Sequence, residues 1–180
     1  MVECAIDALV ERGFAGASIS EIARRAGVSK GVVTYHFPSK NDLLGEVVTS
    51  LYREAGQRIS EAAGEDDPVM EQLMSYIRSN LAFVAERPRH VRAVMEVAAN
   101  VHPDGQVNED PLAAHLQAMI ERGQATGELM EVDASVVAIT IRASIDAAAA
   151  RAASNASADP RTHAEHLCTI VSRALLAPKA

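Results

Sequence analysis

The chain has 180 residues, with 24 acidic against 17 basic side chains, and its formal net charge of −7 opposes general affinity for polyanions. No charge-free apolar run is long enough to cross a bilayer, and the first residues lack a signal-peptide pattern, so a soluble, cytoplasmic protein without a membrane partner is expected. Aromatics make up 3% of the chain, alanine is abundant, and Cys4 and Cys168 stand far apart without zinc or disulfide spacing, which excludes a sheet-rich or cystine-built protein.

In chain order, the first helix starts at once, with Ala5, Ile6, Leu9 and Val10 on one face, and Gly13 ends it. The second starts at Ser18, where Ser-Ile-Ser-Glu forms a capping box: the Ser18 hydroxyl accepts an orphan helix N–H and Glu21 reaches back. Ile19, Ile22, Ala23 and Ala26 face inward, Gly27 makes the turn and Ser29 caps a third helix. On that helix Val33 and Phe37 share one side, Gly31, Thr34 and Tyr35 the other, and Val32 the flank. Pro38 stops it. Ser39 caps a long fourth helix through Leu43, Leu44, Val47, Val48, Leu51, Ala55 and Ile59, which GEDDP at 64–68 breaks.

Beyond Pro68, apolar stripes at Val69, Leu73, Ile77, Leu81 and Val84, then at Val91, Val94, Met95 and Ala98, read as two helices separated by Pro88. A loop follows at 102–111, then a seventh helix from Pro111 through Leu112, Leu116, Met119 and Ile120 towards Gly127. Asp133 caps an eighth, from Ala134 to about Ala153, apolar around most of its circumference and so expected to be buried on two sides. The ninth runs from Thr162 to Leu176. The fold class is therefore all-α with about nine helices, an N-terminal three-helix helix-turn-helix domain at 1–45 and a second helical domain at 46–180.

Between Glu21 and Asp42 there is no acid, yet Arg24, Arg25, Lys30 and Lys40 fall in or beside this stretch. Two short helices around a glycine turn can set the second in a major groove, with Ser18, Arg24, Arg25 and Lys40 at phosphates and the outer face of 30–36 at base edges. A plain helical hairpin with a solvated basic face fits the same spacing. The stretch GFAGASISEIARRAGVSKGVVTYHFPSKNDLL, however, resembles the DNA-binding region of the TetR family of bacterial transcriptional regulators. The resemblance implies a recognition helix at Ser29–Phe37 with Lys30, Gly31, Val32, Thr34, Tyr35 and His36 as base-side contacts and Lys40 on a phosphate. It also implies double-stranded operator DNA as partner, and a small-molecule effector and self-association as a homodimer, both served by the C-terminal domain at 46–180 as effector-binding and dimerisation domain. The pattern departs at Thr34, where many members carry tyrosine, this chain's aromatic standing at Tyr35. No basic arm precedes helix one in the chain as given, so no minor-groove contact is assigned to one.

Met70, Met74, Met95 and Met119 suit either a core or an adaptable cavity, which Ile77 and His115 would complete. Arg142 and Asp146, one turn apart on the eighth helix, suit a structural pair or a ligand contact. Leu167, Ile170, Val171, Ala174 and Leu175 form a stripe on the ninth helix that would meet its symmetry mate. His163 and His166 stand at metal-sharing spacing without a third ligand, while His90 and His102 belong to no set, so neither metal nor cofactor is expected. No phosphate loop, serine elbow or metal-binding His-Glu motif is present, and no enzyme is expected. A helical binding or scaffold protein whose helix-turn-helix has lost DNA is the alternative that the acidic balance favours.

Overall fold

The computed structural model describes residues 1–62, 64, 66–101, 111–155 and 157–176. Among these every extended regular element is a helix: α1 (Val2–Gly16), α2 (Ile19–Ala26), α3 (Lys30–His36), α4 (Lys40–Ala62), α5 (Val69–Glu86), α6 (Pro88–Asn100), α7 (Pro111–Ala125), α8 (Ala134–Ser154) and α9 (Pro160–Leu175). None of these helices is long and apolar enough to cross a membrane. Most of the loop expected at 102–111, His102 included, lies outside the described residues, as do Glu65 of the helix-breaking GEDDP and Ala156.

Local signals account for most ends. Ser18, Ser29, Asp133 and Asp159 each accept a hydrogen bond from a backbone N–H in the first turn of the following helix. Pro88 and Pro160 occupy first-turn positions where no donor is needed. The Asp159 cap puts the start of α9 ahead of the expected Thr162. Gly13 kinks α1 rather than ending it: at φ 66° and ψ −179° it turns the chain, and helix resumes to Gly16. The capping box at Ser18 is half made. Ser18 Oγ accepts from the Glu21 N–H at 3.2 Å, but Ser18 N–H donates to the Gly16 carbonyl because the Glu21 carboxylate is held by arginines. The full box forms at Ser39, whose N–H and hydroxyl both donate to Asp42 while Ser39 Oγ accepts from Asp42 N–H.

Two compact units result. The first comprises α1–α3, α4 as far as Glu54, and α6; the second takes α4 from Ala55 together with α5, α7, α8 and α9. A boundary drawn at residue 45 separates α6 from α1, which the structure packs together. The reason is the α6 stripe. Val91, Ala93, Val94 and Val97 are buried in a core shared with Ile6, Leu9, Ile22, Val33, Leu43 and Leu44, whereas Met95 is half-buried and Ala98 exposed. The second core gathers Leu73, Ile77 and Leu81 of α5, Leu116 and Ile120 of α7, Ile141 and Ile145 of α8, and Leu167 and Val171 of α9. Each such side chain contributes roughly 1.5–3 kcal/mol by leaving water. Where α7 ends, Leu129 fills the space beside Gly123, and Met130 N–H donates to the Leu175 carbonyl at 3.0 Å.

Candidate nucleic-acid interface and effector cavity

The turn after α2 closes on Gly27, whose φ of 67° lets Val28 N–H reach the Ala23 carbonyl at 3.1 Å. This fixes where α3 starts, with Ser29 Oγ accepting from Val32 N–H. Val33 anchors α3 with no exposed surface, and the opposite face is presented: Tyr35 is 84% exposed and Val32 43%, beside exposed Lys30, Gly31 and His36. Val32 thus belongs to the outer face rather than the flank. Thr34 is half-buried, its hydroxyl donating to the Lys30 and Gly31 carbonyls, and Tyr35 meets His36 edge to face at 5.2 Å.

The basic residues around this helix are partly committed. Arg25 Nε donates to Glu21 Oε1 and Arg25 Nη2 to Glu11 Oε2, both at 2.7 Å, leaving its side chain only 15% exposed. Arg24 makes two bonds to Glu21 yet stays 65% exposed. Hydrogen bonds from Arg24 and Arg25 pull the Glu21 carboxyl down to about 2. Lys40 turns back on α1: its ammonium donates to the Phe14 carbonyl and lies 3.8 Å from the centre of the Phe14 ring, and burial lowers its pKa. Glu96 of α6 accepts the Phe14 N–H at 2.8 Å, so Phe14 is held from two helices. Sequence spacing missed these acids because Glu11 and Glu96 come from other helices.

In the second unit a cavity of about 590 Å³ is lined by Gly56, Ile59, Ser60, Gly64, Gln72, Tyr76, Leu112, His115, Met119 and Arg122. Of the residues expected there, His115 and Met119 line it. Ile77 is buried in the core, Met70 and Met74 pack against that core, and Met95 belongs to the first unit. Arg142 is buried on α8 and bonds Asp146 at 3.1 Å, also away from the lining. The missed residues follow a readable pattern: Leu112 and Arg122 fall at helical spacing with the expected His115 and Met119 on α7, and Gln72 and Tyr76 stand one turn apart on α5. The stronger cue was Gln72, a polar residue 7% exposed within the apolar stripe of α5.

The stripe expected at a dimer interface divides between two faces of α9. Leu167, Val171 and Leu175 are buried within the unit, because α9 must close over α5, whereas Ile170 is 64% exposed and Ala174 also faces out. On α8, Val136 and Ile139 are each 58% exposed, and Ala143, Ala147 and Ala150 continue that open side. His163 bonds Ser144 at 2.9 Å, and His90 bonds Glu3 at 3.0 Å. Among the described residues no group of three side chains is placed to hold a metal.

Residues 2–47 match the sequence model of bacterial regulatory proteins of the tetR family. The HTH-type transcriptional regulator TtgR of Pseudomonas putida is 29% identical over 161 residues, spanning 81% of this chain and 75% of TtgR. The HTH-type transcriptional regulator BetI of Yersinia pestis is 37% identical over 71 residues, but that match spans only 38% of this chain and 36% of BetI. A tetR-family regulatory protein from Rhodococcus superimposes with a TM-score of 0.79 at 19% identity, covering 99% of this chain and 96% of its own. The TetR-family regulator PfmR of Thermus thermophilus does so with a TM-score of 0.78 at 18% identity, over 99% and 98%. These structures share the fold, and the sequence matches carry the helix-turn-helix: residues 2–47 form a DNA-binding domain of the tetR family of bacterial regulatory proteins, and along its length the chain is similar to helix-turn-helix transcriptional regulators.

Proposed function

We propose that this regulator is a one-component repressor that binds a palindromic operator as a homodimer and releases it when a small molecule occupies the α4–α5–α7 cavity. The observation that carries the reading is the presentation of α3. Val33 fixes the helix to its core while Tyr35 and Val32 stand in solvent, where they serve no folding role and can meet base edges in a major groove. Lys30 and Arg24 supply exposed positive charge for phosphates. The open side of α8, with Ile170 and Ala174 of α9, offers a self-complementary apolar patch, and a two-fold pair would set half-sites about 34–36 Å apart. α4 supplies Lys40 to the first unit and Ile59 and Ser60 to the cavity wall. A coupling of ~1–3 kcal/mol between effector and operator would weaken DNA binding roughly 5- to 150-fold.

The test is selection of binding sites from a random duplex pool by the wild type and by Tyr35→Ala. A palindromic consensus whose half-site changes in the variant supports the reading; the same half-site in both refutes base readout by Tyr35. The commitment of Arg25 to Glu11 and Glu21, and of Lys40 to Phe14, favours a second reading, in which the domain has lost DNA binding. Absence of any enrichment at low salt would establish it.

A further inference from the structure

The lining of the cavity carries one formal charge among its described residues, that of Arg122, and no acid. Arg122 Nη2 donates to Gln72 Oε1 at 2.8 Å. Gln72 is itself oriented, since its Nε2 donates to the Asp67 carbonyl at 2.7 Å, which turns the amide oxygen to the guanidinium. The cation is therefore positioned by a neutral, buried group. The neighbouring carboxylates are engaged elsewhere: Glu128 accepts the Val69 and Met70 N–H groups, Asp67 that of Gly64, and Glu121 the Gln117 amide. Other arginines of the same unit are paired with acids, Arg58 and Arg161 with Glu86 and Arg78 with Glu165. A guanidinium has five N–H donors, and a neutral amide oxygen leaves the Arg122 charge without an acid partner among the described residues.

We infer that the cavity takes an amphipathic organic monocarboxylate, its anionic end on Arg122 and its apolar body against Ile59, Leu112 and Met119. This inference rests on the effector reading above. The volume suits such a molecule, since sites for small ligands run from about 300 to 1,000 Å³. The planar guanidinium fork matches a carboxylate, and one positive charge balances one negative charge; a dianionic phosphate would bring a second charge, and the described lining holds no second arginine or lysine to meet it.

The experiment is calorimetric titration of the full chain with two acids, 1-naphthylacetate and octanoate, and with their neutral amides. The wild type is expected to bind an acid at least about tenfold more tightly than its amide, the preference that one charge-assisted contact confers. Arg122→Gln should abolish that preference and Arg122→Lys should retain part of it; both alter an exposed side chain, and circular dichroism verifies that each is folded. Ser60→Trp, which fills the mouth from an exposed position of the lining, should weaken acid and amide together. Equal affinity for acid and amide, a preference that survives Arg122→Gln, or no acid binding at millimolar concentration overturns the inference. If acid and amide bind alike and Ser60→Trp removes both, the cavity remains the effector site and only the anion preference falls. If Ser60→Trp leaves acid binding unchanged, the effector reading fails with it.

Discussion

Gly13→Ala tests how α1 is joined to the rest of its unit. At φ 66° and ψ −179° Gly13 sits in a region open essentially to glycine alone, so a Cβ there strains the backbone by about 1–3 kcal/mol. That Cβ would also lie 3.3 Å from Glu96 Oε1, the atom that accepts the Phe14 N–H, and displacing it risks a charge-assisted bond of about 1.5–3 kcal/mol. Reduced freedom of the unfolded chain offsets about 0.4–1 kcal/mol. The net expectation is a loss of roughly 2–4 kcal/mol, which at about 2–4 °C per kcal/mol lowers the thermal midpoint by roughly 4–16 °C. The control is Gly45→Ala in the exposed interior of α4, where a Cβ meets nothing within 4 Å and helix propensity predicts a gain of about 0.5–1 kcal/mol. Unfolding of both variants is followed by circular dichroism, with Glu96→Ala and the Gly13→Ala/Glu96→Ala pair completing a cycle. Because the two changes strike one hydrogen bond, their costs should fall short of additive. A midpoint for Gly13→Ala at or above the wild-type value would refute the reasoning; full additivity would show that Glu96 does not sense the new methyl group.

Glu21 titrates near 2 in the folded chain against an ordinary 4.5, so between these values the unfolded state binds more protons and stability falls as pH drops through that window. Urea midpoints from about pH 6 down to about pH 2 should fall more steeply for the wild type than for Glu21→Gln, and parallel curves would dismiss the arginine cluster as the cause. In DNA binding, Lys30→Ala should flatten the dependence of affinity on salt by about one counterion, whereas Lys40→Ala should chiefly lower stability because its ammonium is held by Phe14. A full counterion lost with Lys40→Ala would mean that Lys40 leaves Phe14 for a phosphate. Ile139→Glu, on the open side of α8, should halve the mass seen by light scattering with helicity kept, while an unchanged dimer would put the interface elsewhere.

Features that depend on a few neighbouring residues were legible before any contact was known. Ser18, Ser29, Asp133 and Pro88 act within one turn, through the first N–H groups of a helix, and they set helix order and the presented face of α3. The glycine turn at Gly27 was legible for the same reason, as a backbone demand that one residue type meets at little cost. Packing selected which of several partners each group takes. The Glu21 carboxylate could cap Ser18 or bind arginines, and two guanidiniums brought within 3 Å outcompete one backbone N–H. The α9 stripe could serve a core or a partner, and packing against α5 claims Leu167, Val171 and Leu175 while leaving Ile170 outside. Residues 115, 119 and 122 share a face of α7 in any reading of the sequence, but only the meeting of α7 with α4 and α5 turns that face into a cavity wall. Only there is Arg122 set beside the buried amide of Gln72, because burial and charge pairing are properties of the assembled helices rather than of any one of them.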